Sequence, residues 1–459
     1  MQQSFKQWGR ALGLVAVLGT AACNPLTIDP VTDPNNQSLE GVLINASPTQ
    51  LVALATGLEA SYRLQHTNNA PYNQLTGIFG REVVIVASNE PRWINQVMQG
   101  PLDPAGFYGN GSYNAVARII RAANILRQSA AGTPQVTDAQ KQGFFAFADT
   151  YEALGKLQLI NLMGENGIRI DVADFRKPGK FTAGSAPALA NIRQLLDQGA
   201  AELAKAGSAF AFPLSGGYAG FDTPPTFLRV NRALAARVAL YQKDYAGALT
   251  AIGGSFYSPT AALTLGPNLG FSPGVGGDEG NSYFQVPDQV PSTLVGVPNN
   301  FVTEAEAGDK RLSKVSARTT ARTLLGVVTN YDPVVYASQT TPVSIIRNEE
   351  LILIAAEAKA NANNPTGAVA DLNVIRTVAG GLPAYTGAVT TTALVDEVLR
   401  QRRYSLFYEG QFWVDLRRTG RLRPNPTPNI SLPYTAAPFV VYDRLPIPDA
   451  EIRWDQANP

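Results

Sequence analysis

The chain has 459 residues, of which 45% are apolar and only 16% charged, with a formal net charge of +1. That near-neutral balance gives no electrostatic basis for binding nucleic acid, and a single cysteine excludes both an intramolecular disulfide framework and a cysteine zinc site. Stability must come from burial, and 41 glycines with 32 prolines point to long uncharged loops carried on a scaffold.

Lys6 and Arg10 form a positive n-region, residues 11–22 are uncharged and mostly apolar, and small residues lead into Cys23, the one cysteine. The stretch is too short to cross a bilayer as a helix, which takes about 20 residues. It resembles a bacterial lipoprotein signal, in which Cys23 is acylated after residues 1–22 are removed, although Thr20 stands where leucine is usual. The shortened chain would carry a net charge of −1, since Lys6 and Arg10 leave with the signal. Residues 23–47, rich in Pro, Asn and Asp, read as a lipidated tether, and residues 48–459 as one domain.

Ser47-Pro48 is an N-cap with proline at the first helical position, and Leu51, Leu54, Ala55, Leu58 and Tyr62 mark a buried face. Helical periodicity recurs over 113–128, 141–162, 187–206, 227–242, 245–252, 348–361, 368–378 and 392–418. Strand-like pieces are short, at 81–87 and 326–329, so the fold is expected to be mainly α. Two segments repeat each other: Ala236 is followed 12 positions later by Ala248, and Ala356 by Ala368. Small side chains at matched positions allow two antiparallel helices to cross closely, as in a tetratricopeptide unit. The helices at 151–162 and 187–206 are expected to form a third pair. Loops at 207–225, 255–300 and 420–438 are longer than ordinary connections, and their interspersed aromatics favour order.

Polyols and sugars are held by aromatic faces and by amide or guanidinium groups in a concave site. Residues 66–108 mix those types, making Trp93 the expected stacking platform, with Arg92, Asn95, Tyr72 and Tyr108 beside it and Tyr283 as a further candidate. His66, the one histidine, has no second histidine or cysteine to share a metal, so no metal site is expected. No phosphate loop, Gly-Xaa-Ser-Xaa-Gly or His-Glu-Xaa-Xaa-His pattern occurs, and no catalytic residue or cofactor is expected.

Over 392–418, helical spacing places Arg402 and Glu409 on an otherwise apolar face, so both are expected to be internally paired. With Leu406, Gly410, Asp415, Leu416, Arg417 and Arg418, then Pro446, Ile447, Pro448 and Glu451, this segment resembles the C-terminal signature of SusD/RagB nutrient-binding lipoproteins. Glu349-Glu350-Leu351 through Arg376 looks like the family's penultimate helical pair; Ser405 and Phe412 depart from its usual Glu and Arg. The resemblance implies one helical domain on tetratricopeptide-like pairs with loops packed on one side. It further implies a lipid-anchored place at the outer-membrane surface and a SusC-type TonB-dependent transporter as partner. A captured oligosaccharide or peptide would be handed to that transporter. An anchored glycan hydrolase and a peptide-binding scaffold of the envelope stand as alternatives.

Overall fold

A computed structural model describes residues 39–459, except 69, 175, 275, 277, 292–293 and 423–429. Cys23 and the signal therefore lie outside the described residues, as does the tether up to residue 38. From Leu43 onward the chain forms one compact unit. The tether's last residues are built into it. Leu39–Asn45 is helical, Ala46 is fully buried, and its carbonyl accepts a bond from Thr133 Oγ1 at 2.7 Å.

Helix α1, Pro48–Leu64, starts at a capping box in which Ser47 and Gln50 satisfy each other's exposed N–H groups. The helices that follow are α2 (Tyr72–Phe79), α3 (Phe107–Gly132), α4 (Asp138–Met163), α5 (Ser185–Leu203), α6 (Pro224–Tyr241) and α7 (Tyr245–Gly253). After the second long loop come α8 (Asn348–Asn361), α9 (Pro365–Val374), α10 (Thr391–Ser405), α11 (Phe412–Arg418) and α12 (Asp449–Ala457). Successive helices pack in order: α3 on α4, α4 on α5, α5 on α6, then α6 with α7 and α8 with α9 and α10. Ala236, Ala248, Ala356 and Ala368 are all fully buried where their hairpins meet, as the repeat predicts. The pair formed by 151–162 and 187–206 is present as α4 and α5, the most extensive helix contact. Among the described residues no helix is long and apolar enough to cross a membrane.

Two helical expectations change. The single helix over 392–418 is broken at residues 406–411, because Tyr408 and Gly410 take φ of 63° and 76°. A Cβ on Gly410 would also stand 3.0 Å from the Tyr72 ring, so glycine lets the turn press against α2. The second change is α2 itself, which lies inside the 66–108 stretch, where no helix is expected. All eight of its residues are buried, so it lacks the alternation of buried and exposed positions that marks a surface helix.

Strands among the described residues serve as clasps for loops. Val84–Ile85 pairs with Val295–Gly296, and Asn268–Leu269 with Val343–Ser344, both antiparallel. A longer hairpin, Val315–Leu324 with Val327–Pro333, joins the first of these through a bridge from Tyr331 to Val297. Its first strand, rich in Arg and Thr, was not legible as a strand because most of that face is exposed.

The ionic residues of the 392–418 segment are internal, with partners drawn from other helices. Arg402 donates to Asp415 at 2.6 Å, whereas Glu409, displaced by the break, accepts from Arg347 at 2.7 Å. Arg418 reaches Asp415 at 2.8 Å and grips both oxygens of Glu357 at 2.6 and 2.8 Å. Ser405 Oγ accepts from Arg311 at 3.0 Å, and Phe412 lies under the Arg403 guanidinium. Pairing of this kind is what buried charge requires.

Candidate functional site

His66, Asn73, Tyr336 and Tyr408 gather around Tyr283. That side chain is 2% exposed; its hydroxyl meets His66 Nδ1 at 2.8 Å and accepts from the Asn73 amide at 3.3 Å. Its ring lies 5.1 Å from Tyr336 and 5.3 Å from Tyr408, the first stacked and the second edge-on. Burial pushes the His66 imidazole down to about 3, so it is neutral near pH 7 and bridges hydroxyl and amide.

The loop after Tyr283 is pinned at both ends. Asn281 bonds to the carbonyls of Gln339 and Thr341 through its amide and side chain, at 2.8 and 2.7 Å. Gln285 spans to both backbone groups of Val295, and the Asp288 amide donates to Asp332 at 2.7 Å. Asp332 is held by Arg318 at 2.5 Å.

Held this way, the loop encloses a hollow of about 400 Å³. Gln74, Gln289 and Gln339 line it, and none of these three side-chain amides has a hydrogen-bond partner among the described residues. Half-buried Phe284 and exposed Val286 and Val290 supply apolar surface. Among the described residues no carboxylate, histidine, lysine or arginine is on the lining. The hollow offers amide donors and acceptors beside an aromatic edge, which suits a neutral, hydroxyl-rich molecule.

Tyr283 is therefore at the site, but as its floor: the ring is spent on packing and the hydroxyl on His66 and Asn73. Trp93 is corrected. It is 3% exposed and its ring sits 4.1 Å from that of Tyr108, also buried, so it anchors the 91–108 segment and presents no free face. Arg92 is exposed and engaged with Glu90 at 2.6 Å through Nε, and Asn95 is exposed beside it. Tyr72 is buried in α2 and accepts from Asn161 at 3.1 Å. None of these five lines the hollow. Gln74, Phe284, Gln289 and Gln339 were missed. The one available signal was that Phe284 adjoins Tyr283.

A second hollow, of about 580 Å³, lies between α1 and the segments 213–217, 268–272 and 340–342. Among the described residues no cluster of three or more His, Cys, Asp or Glu is arranged to hold a metal ion.

Residues 304–454 match the model of the SusD family. Surface glycan-binding protein A from Bacteroides thetaiotaomicron, solved with laminarihexaose, superposes with a TM-score of 0.66 at 15% identity, covering 89% of this chain and 98% of that one. A SusD superfamily protein from Bacteroides vulgatus gives 0.63 at 14% identity, covering 89% and 97%. A laminarin-binding SusD-like protein gives 0.60 at 18% identity, covering 88% and 97%. At these identities the likeness is one of fold. No curated protein matches the sequence.

Proposed function

We propose that this chain, a member of the SusD family through residues 304–454 and through its SusD-like fold, captures an oligosaccharide in the hollow beside Tyr283 without chemically altering it. One observation carries the reading: three amides without a partner among the described residues and an aromatic edge surround a concave space whose described lining holds no carboxylate. Retaining and inverting glycosidases both place two carboxyls across the scissile bond, and this lining offers hydrogen bonds and apolar contact instead. That one protein of the same fold is solved with laminarihexaose and another is a laminarin-binding protein supports a glycan as the cargo.

Delivery follows from the family. A SusC-type TonB-dependent transporter in the outer membrane would receive the cargo, with acylated Cys23 holding the chain at the cell surface. The n-region, apolar run and Cys23 support that anchor. Replacing Cys23→Ser is expected to move the protein from the membrane to the unanchored fraction, and retention on membranes would defeat the lipid claim.

Calorimetric titration with malto-, cello- and β-1,3-gluco-oligosaccharides, including laminarihexaose, tests the capture. Binding without new reducing ends is expected; turnover would favour the anchored hydrolase. Affinity for peptides alone would favour the envelope scaffold.

A further inference from the structure

The second hollow gives the proposed cargo a further foothold, an inference that rests on the glycan reading above. Its wall on one side is the outer face of α1, with Glu59 and Arg63; the opposite wall is the turn at 215–217 and the strand end at 268–272. Glu59 accepts from the Ser215 amide at 3.2 Å, and Arg63 grips Asp278 at 2.6 Å and the Gly270 carbonyl at 3.2 Å, so the charges are engaged in holding the walls. The side chains of Ser215, Asn268 and Ser272 have no hydrogen-bond partner among the described residues, while Phe271, Leu214 and Pro342 supply apolar lining. These are again neutral hydrogen-bonding groups beside apolar surface, the same chemistry as in the first hollow.

The two hollows share one wall. Gln339 lines the first and Thr340, the next residue, lines the second; Ser282 and Ser272 likewise face one hollow each. Beside that wall Asp278 is held by Arg63, and Asn281 by Gln339 and Thr341. Each hollow has the size of a small-molecule site, about 300 to 1,000 Å³, and so accommodates only a short piece of a polymer. We propose that they are two subsites for one glycan chain, separated by the backbone at Gln339 and Thr340, so that the protein selects oligosaccharides long enough to reach both.

Gly216 provides the test. A Cβ there meets nothing within 4 Å, and its backbone is not in the left-handed region, so Gly216→Leu adds bulk on the lining without strain. The affinity of gluco-oligosaccharides of two to eight units is measured for the intact protein, Gly216→Leu, Asn268→Ala and Phe284→Ala. The intact protein should bind di- and trisaccharides and then tighten again at the longer chains. Gly216→Leu and Asn268→Ala should leave the short sugars unchanged and weaken the longest by about tenfold, the scale of one or two neutral hydrogen bonds. Phe284→Ala should weaken every length. Equal octasaccharide affinity in intact protein, Gly216→Leu and Asn268→Ala would overturn the second subsite while leaving the first hollow standing. No binding at any length would overturn both.

Discussion

Two regions solve the problem of buried polar groups differently. Where α8, α10 and α11 meet, full charges are buried and answered by full charges: Arg402 and Arg418 on Asp415, Arg418 on Glu357, and Arg237 on Glu350 at 2.6 Å. Around Tyr283 the buried groups are neutral, and hydroxyl, imidazole and amide satisfy one another. In the ionic region both oxygens of Glu350, Glu357 and Asp415 are taken by arginines inside the helical body. The neutral region fastens its backbone but leaves three side-chain amides uncommitted at the hollow. Rigidity and recognition are thus assigned to different chemistry in one fold.

The largest break in that contrast should come from Arg418→Ala. It strands Glu357 and half of Asp415 without a cation, and loss of a buried ion partner costs about 3–5 kcal/mol. Chemical denaturation should show this loss, with glycan affinity of the surviving folded fraction unchanged. Trp93→Ala comes next. As a buried anchor it should cost about 3 kcal/mol, the scale of large-to-small aromatic changes, and leave affinity intact. A stable Trp93→Ala variant with weakened binding would restore Trp93 as the stacking platform.

Glu82 stands at the seam between the two regions. One oxygen accepts from the Tyr408 amide at 3.3 Å and the other has no partner among the described residues. Burial pushes the carboxyl up to about 8 from 4.5. The folded state therefore holds this proton more tightly, so its contribution is present below about pH 4.5 and is lost as pH rises through 8. Glu82→Gln should gain about 2 kcal/mol relative to the parent at pH 8.5 and little at pH 4.5. His66 works in the opposite sense. Its folded value is depressed, so stability is full above about pH 6.5 and falls as pH drops toward 3. His66→Gln should flatten that acid limb in pH-dependent melting curves. The smallest effect belongs to Phe284→Ala: affinity for gluco-oligosaccharides down about tenfold, about 1.4 kcal/mol, with unfolding nearly unmoved.

Legibility in the sequence divided along the same line. Helices such as α3 and α5 declared themselves through 3.6-residue periodicity, since each has one buried face, and the α6–α7 and α8–α9 hairpins through their matched alanines. The break at 406–411 hid because apolar spacing continues across it, while the deciding feature is backbone geometry at Tyr408 and Gly410. Helix α2 hid because its eight residues, buried on every side, are too few to set up a readable pattern. In the site, Arg92 and Asn95 lent Trp93 a ligand-like neighbourhood, although exposed flanks are also what a buried anchor has. The three amides come from residues 74, 289 and 339, and nothing local in the sequence marks glutamines that only the clasps bring together.

Hydrogen–deuterium exchange of the intact protein, with and without a bound gluco-oligosaccharide, tests the central claim most directly. Slowed exchange over residues 282–291 and 338–341, with α4 to α9 unchanged, is the predicted result. Protection confined to the helices, or none anywhere at saturating sugar, would contradict a loop-built capture site on an inert helical scaffold.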